Sequence, residues 1–134
     1  LTLRTPNSGA SLSISGTDGQ ETVFISKCAL YSSSGQKFTK CNAVIIQSNV
    51  EENYNHYPLT AYENANVTCI NSILAGGLSY SSTGKYDLQN CFVKGKFQVA
   101  YSSIKNCIIS EVCTVDGQAE FGNLMLSKLR IKKR

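Results

Sequence analysis

Leu88-Gln89-Asn90-Cys91-Phe92-Val93 is the hexapeptide that decides the predicted fold, because the chain repeats it. It returns sixteen residues later as Ile104-Lys105-Asn106-Cys107-Ile108-Ile109, and after seventeen more residues as Phe121-Gly122-Asn123-Leu124-Met125-Leu126. A unit this short, with apolar residues along one side, cannot bury itself alone and must stack on its neighbours. The sequence therefore predicts a repeat protein.

Weaker copies of the hexapeptide extend the repeat toward the N-terminus. Residues 69–74 and 25–30 fit it well, residues 38–43 fit it less well, and residues 54–59 keep only its apolar ends. We expect one coil of the chain for each copy, with about 16 residues in each coil. The copies begin at Ile25, Phe38, Tyr54, Cys69, Leu88, Ile104 and Phe121.

The third position of the hexapeptide predicts a bend. Leu88 and Cys91 are three residues apart, whereas Cys91 and Val93 are two apart, so all three can point inward only if strand alternation breaks after Leu88. Asparagine suits such a bend, because it tolerates the left-handed conformation and bonds to its own backbone. We expect stacked coils to align this position as an asparagine ladder of Asn71, Asn90, Asn106 and Asn123.

Further positions recur at fixed distances from the hexapeptide. Nine and eleven residues after three of its starts lie Leu78 and Tyr80, Phe97 and Val99, and Cys113 and Val115. Coincident offsets of this kind predict a coil with three sides, each adding one short strand to a parallel sheet. An antiparallel sandwich, with turns every 8–12 residues, is the alternative. The favoured fold class is an all-β, single-stranded parallel β-helix, also called a solenoid.

The chain contains six cysteines. When the copies of the hexapeptide are aligned, four of the cysteines fall at one position, whose side chains we expect to point into the coil. The even number allows disulfides, and stacked neighbours are close enough to pair. The repeat already explains them as small buried hydrophobic residues, so we expect free thiols and a reducing, cytoplasmic location. The spacing of zinc ligands is absent, so we expect no metal and no cofactor. The four aligned cysteines are Cys28, Cys41, Cys91 and Cys107.

The 134 residues predict one domain, with a lead-in or cap at 1–21, coils at 22–126 and a basic edge strand or tail at 127–134. No apolar run is long enough for a transmembrane helix. Because the sequence begins with Leu, we expect a mature form or an excised domain.

The tail holds five of the thirteen basic residues, namely Lys128, Arg130, Lys132, Lys133 and Arg134. Its alternation predicts a final edge strand whose outward charges block unwanted pairing. Contact with an anionic surface or an acidic partner is the alternative. No groove pattern of basic and aromatic residues appears elsewhere, so a specific nucleic-acid site is not expected.

The segment from residue 50 to residue 63 fits the repeat least, and loops on a rigid scaffold often bind ligands. Its aromatic faces and carboxylates would suit a carbohydrate. The alternative is a solvated loop that covers the coil. We do not expect the single histidine to act as a base, because no partner nucleophile is evident. The candidate binding residues are Glu51, Glu52, Tyr54, His56, Tyr57 and Tyr62.

The patterns at residues 88–92 and 104–108 resemble the coils of right-handed parallel β-helix proteins. That group includes polysaccharide lyases, tailspikes, adhesins and scaffolds, so the resemblance implies a fold and no single activity. The segments Phe92-Val93-Lys94-Gly95-Lys96-Phe97 and Val115-Asp116-Gly117-Gln118-Ala119-Glu120-Phe121 resemble the glycine-punctuated turns of bactofilins, which are bacterial polymer-forming cytoskeletal proteins. This chain departs from them in its cysteines and its less regular glycines.

Three functions follow from these patterns. The favoured one is a non-catalytic structural, scaffold or protein-interaction module that self-associates through the coil ends. The second is a carbohydrate-binding or adhesion module that uses residues 50–63. The third is a polysaccharide-degrading enzyme, which needs paired carboxylates on one face of the coils. We do not expect an enzyme, because the acidic residues do not recur at one coil offset.

Overall fold

The computed structural model describes residues 1–4, 12–32, 35–52, 59–76, 78–80, 84–94, 97–99, 102–116 and 119–132. This part of the chain is all β and has no helix. The strands are β1 (Thr2–Arg4), β2 (Leu12–Ser15), β3 (Thr22–Ser26), β4 (Ala29–Ser32), β5 (Gln36–Thr39), β6 (Asn42–Ile46), β7 (Asn49–Glu52), β8 (Leu59–Tyr62), β9 (Asn66–Ile70), β10 (Ile73–Ala75), β11 (Leu78–Tyr80), β12 (Lys85–Gln89), β13 (Phe92–Lys94), β14 (Phe97–Val99), β15 (Ser102–Lys105), β16 (Ile108–Asp116), β17 (Ala119–Gly122) and β18 (Met125–Lys132).

The strands stack in three parallel columns, which confirms the predicted parallel solenoid. The first column contains β1, β4, β7, β10 and β13, and the second contains β2, β5, β8, β11 and β14. The third column contains β3, β6, β9, β12, β15 and β17. The long strands β16 and β18 run through both of the first two columns and join them into one twelve-stranded sheet.

The coils are longer than the sequence predicted, with about 20 residues per turn. In the third column, the predicted length holds only for the last two steps, which run from Leu88 to Ile104 and from Ile104 to Phe121. The step from Ile45 to Cys69 is the longest. The earlier coils contain longer connections between columns. One fixed coil length, such as the predicted 16 residues, therefore cannot describe all the coils. The equivalent residues of this column are Ile25, Ile45, Cys69, Leu88, Ile104 and Phe121.

Two of the assigned copies of the hexapeptide were wrong. Phe38, from the copy at 38–43, lies in the second column beside Ile14 and Ala61. Leu59, from the copy at 54–59, lies in the same column. The true copy at this level is residues 45–50, whose first and last residues align with those of the copies at 25–30 and 69–74. It was missed because Gln47-Ser48 replaces Asn-Cys.

The place of Cys41 also differs from the prediction. It lies at the corner between β5 and β6, where its carbonyl accepts a hydrogen bond from Asn66 N at 3.1 Å. Cys28, Cys91 and Cys107 do share one corner position, but Ser48 and Ser72 lie between Cys28 and Cys91 in the stack. The predicted column of four cysteines is therefore a column of three, interrupted by two serines.

The interior consists of inward side chains that stack from coil to coil. In the first column Leu30, Val50, Leu74, Val93 and Ile109 are all buried. The offsets found in the sequence are confirmed, since Phe97 aligns with both Leu78 and Cys113. Alternation places every second residue of a strand inside, so burial of these apolar columns drives the coils to stack.

Close contact between columns requires glycine at position 84. A Cβ atom built there would lie 2.2 Å from the carbonyl oxygen of Ala61. That contact is far inside the van der Waals limit, so only a residue without a side chain fits this corner.

Both ends of the sequence contribute strands to the solenoid. In the predicted lead-in, β1 pairs with β4 and β2 pairs with β5. In the predicted tail, Lys128, Arg130 and Lys132 lie in β18 and align with residues of β16. Lys133 and Arg134 lie outside the described residues. None of the described segments is a helix with the length and hydropathy to cross a membrane.

Candidate functional site

One corner of the coil, between the third and first columns, is built from residues with left-handed backbone. Asn71, Asn90, Asn106 and Asn123 have φ between 50° and 54°, and Lys27 and Gln47 of the earlier coils have φ of 53° and 49°. The backbone N–H of Asn90 donates to Lys105 O at 3.1 Å, and the N–H of Asn106 donates to Gly122 O at 2.8 Å. Each corner residue thus connects its coil to the next one.

The asparagine side chains form two hydrogen-bonded pairs along this corner. Asn90 Nδ2 donates to Asn71 Oδ1 at 3.2 Å, and Asn123 Nδ2 donates to Asn106 Oδ1 at 3.1 Å. The side chains are exposed, but their amides bond along the coil axis. This geometry makes the ladder a structural device that links successive coils.

The thiols behind this corner are free and mostly buried. The five cysteines with described side chains are free, and all except the half-buried Cys28 are buried. The Cys107 thiol lies 3.2 Å from Lys105 O. Hydrogen bonding between Cys91 and Cys107 raises the pKa of Cys91 and lowers that of Cys107, while burial raises the pKa of Cys69. Burial of the sulfur atoms keeps them from acting as exposed nucleophiles.

The predicted binding segment is only partly described. Tyr54, His56 and Tyr57 lie outside the described residues, and Glu52 is the last residue of β7. The half-buried Glu51 accepts a hydrogen bond from Asn49 Nδ2 at 2.9 Å in the first column. Tyr62 is 37% exposed in the second column. The structure therefore does not bring these two residues together in one column, and the carbohydrate site stays a prediction.

The acidic residues give one alignment that sequence spacing did not reveal. Asp87 and Glu120 lie at the same position of the third column, but Ser103 separates them. At about 4.8 Å per strand, their backbones are roughly 10 Å apart. Among the described residues no group of three His, Cys, Asp or Glu could hold a metal ion.

An apolar stripe follows the asparagine corner on the outer surface of the first column. It consists of four aligned outward residues, each more than a third exposed: Ile73, Phe92, Ile108 and Met125. Isolated exposed apolar residues are ordinary, whereas an aligned set is less so.

The coil ends are the places where the interior itself is uncovered. At the N-terminal end, Leu3 aligns with the buried Leu30 but is 45% exposed. At the C-terminal end, Phe121 aligns with the buried Ile104 but is 39% exposed. Neither residue is among the binding residues predicted from the sequence, although Phe121 holds the first position of the last hexapeptide. Among the described residues, these two end faces combine exposed core positions with strand edges that no strand pairs.

Comparisons of this chain with protein-family models, with curated proteins and with solved structures found no match.

Proposed function

We propose that this protein is a non-catalytic structural or interaction module whose copies self-associate end to end through the coil ends. The observation that carries the proposal is the exposure of Leu3, which occupies a core position with nothing stacked above it among the described residues. In β4, β7, β10, β13 and β16 of this column, the equivalent residues are at most 1% exposed. The resemblance of two turns to those of bactofilins supports the same function.

Strand pairing gives the association its geometry. The edges of β1 and β2 at one end, and of β18 at the other, pair with no further strand of the described chain. Unpaired edges are templates for another chain, and adding one also covers exposed apolar surface. In the proposed contact, β18 of one copy lies beside β1 and β2 of the next.

Light scattering across a concentration series tests the proposal. We expect the average mass of the wild-type chain to rise with concentration and the Leu3→Lys variant to remain monomeric, because a buried lysine would lose its hydration. Ile73→Lys is the matched control, since Ile73 is 48% exposed on the outer side rather than at an end. It should associate like the wild type. A wild-type monomer at all concentrations, or equal loss in both variants, would contradict the proposal.

A further inference from the structure

We propose that Cys91 and Cys107 form a redox-active dithiol site, at which a hydroperoxide oxidises the two thiols to a disulfide between neighbouring coils. This site lies inside the solenoid and needs no contact between copies of the chain, so it goes beyond the proposed function. The disulfide would connect the coil of β12 and β13 covalently to the coil of β15 and β16.

Stacking places the two cysteines at the same position of adjacent coils. The backbone N–H of Asn90 donates to Lys105 O at 3.1 Å, and the N–H of Ile108 donates to Cys91 O at 3.0 Å. These hydrogen bonds hold the backbone in register on both sides of the pair. Parallel strands lie about 4.8 Å apart, and a disulfide joins Cα atoms that are about 4.4–6.8 Å apart. The separation of the two backbones therefore suits a disulfide.

The two side chains have equivalent orientations and contact each other. Each Sγ atom lies near the carbonyl oxygen two residues earlier, which is that of Gln89 at 3.3 Å for Cys91 and that of Lys105 at 3.2 Å for Cys107. The Cys91 thiol also donates a hydrogen bond to the Cys107 sulfur. This bond lowers the pKa of Cys107 and so favours its thiolate, which is the nucleophilic form of cysteine.

Adjacent cysteines occur only once in this stack among the described residues. From coil to coil, the corner position holds Cys28, Ser48, Ser72, Cys91, Cys107 and Leu124. The third cysteine of the stack, Cys28, therefore has a serine rather than a thiol as its neighbour in the next coil. Only Cys91 and Cys107 can react with each other from this position.

The pair lies at a corner of the coil, beside the surface. Cys91 and Cys107 are 3% and 1% exposed, whereas the asparagines that precede them, Asn90 and Asn106, are exposed. Burial excludes bulky electrophiles from the two sulfur atoms. Hydrogen peroxide is little larger than water, so small local openings of the corner admit it. A hydroperoxide is therefore the class of oxidant that fits this site.

The reaction has two steps. In the first, the Cys107 thiolate attacks one oxygen of hydrogen peroxide, so an S–O bond forms, the O–O bond breaks, and the departing hydroxide takes up a proton to become water. In the second, the Cys91 sulfur attacks the sulfur of the resulting sulfenic acid. An S–S bond forms, the S–O bond breaks, and the OH group leaves as water with the proton of Cys91. One peroxide is reduced to two waters, and two thiols are oxidised to one disulfide.

Peptide mapping by mass spectrometry tests the proposal. The reduced full chain is treated with hydrogen peroxide, denatured with a maleimide that blocks the remaining thiols, and digested. We expect a peptide that contains Cys91 to be linked to one that contains Cys107, and dithiothreitol to separate them. Non-reducing electrophoresis should show that the link lies within one chain. Absence of this linked peptide, or a disulfide between two chains in its place, would overturn the proposal.

Two serine variants at the same corner position localise the reaction. Cys91→Ser should abolish the disulfide and leave Cys107 as a sulfenic acid, which dimedone labels. Cys28→Ser is the matched control and should form the disulfide like the wild type. Both variants should fold, because Ser48 and Ser72 already occupy this position, and circular dichroism melting checks this. Loss of the disulfide in both variants, or in neither, would overturn the proposal.

The order in which the thiols react provides a second test. Cys28 is half-buried and more exposed than either member of the pair. If exposure alone decided reactivity, hydrogen peroxide would oxidise Cys28 first. We expect the thiols of Cys91 and Cys107 to be lost before that of Cys28 in a time course followed by maleimide labelling after denaturation. Earlier loss of the Cys28 thiol would overturn the proposal.

Discussion

At the corner between the third and first columns, the choice of a single residue affects stability because the backbone there is left-handed. A residue with a Cβ atom adopts this conformation at a cost of roughly 1–2 kcal/mol, and asparagine tolerates it best among them. The sequence predicted this role for Asn71, Asn90, Asn106 and Asn123 because they recur with the hexapeptide. It could not predict the role of Lys27 and Gln47, since neither side chain favours the conformation and only stacking imposes it.

Two substitutions of Asn90 distinguish the contribution of its backbone conformation to stability from that of its side-chain hydrogen bond. Asn90→Ala should lower the free energy of unfolding by about 2 kcal/mol, because it adds backbone strain and removes the hydrogen bond to Asn71. Asn90→Gly should lower it by only about 1 kcal/mol, because glycine accepts the left-handed conformation. Urea denaturation measures both values. A glycine variant no more stable than the alanine variant would show that backbone conformation is not the cause.

At the scale of the element, the spacing between equivalent residues of the third column determined which strands could be predicted from the sequence. Its last two steps are short and nearly equal, so they made the repeat visible and located the core of β12, β15 and β17 correctly. Its earlier steps, from Ile25 to Ile45 and from Ile45 to Cys69, are longer and concealed the copy that starts at Ile45. Connections between columns vary in length because they lie outside the stacked core, and no sequence period describes them.

A buried thiol and a buried tyrosine hydroxyl in the third column should make the stability of the solenoid sensitive to alkaline pH. Burial raises the pKa of the Cys69 thiol and of the Tyr86 hydroxyl. In the unfolded chain these groups lose their protons near pH 8.5 and 10. Above those values the unfolded state binds fewer protons than the folded state, so the free energy of unfolding falls as pH rises.

We therefore expect the free energy of unfolding to decrease from pH 8.5 upward, by up to about 1.4 kcal/mol per pH unit for each group. Tyr86→Phe should make the decrease above pH 10 less steep, although loss of the hydrogen bond that its hydroxyl accepts from Ala61 N lowers stability at every pH. Urea denaturation under reducing conditions across this range is the measurement. Constant stability between pH 8 and 10.5 would argue against burial of these groups.

At the scale of the whole molecule, the proposed function depends on the two coil ends. The sequence predicted end contacts in general terms from a repeat whose terminal strands lack neighbours. It could not predict that β16 and β18 each run through the first two columns, because no pattern in the sequence distinguishes these long strands from pairs of short ones. The basic residues of β18 lie at the C-terminal coil end, and their contact with an anionic partner stays a prediction.

Amide hydrogen exchange at Asn123 tests most directly whether the C-terminal coil end is an uncovered strand edge. The N–H groups of Asn90 and Asn106 are bonded to the next coil and should exchange slowly. In the dilute chain, the N–H of Asn123 should exchange quickly, because β17 pairs with β15 and with no second strand among the described residues. An Asn123 amide as protected as that of Asn106 in the dilute chain would contradict an uncovered edge at β17 and, with it, the account of the coil ends.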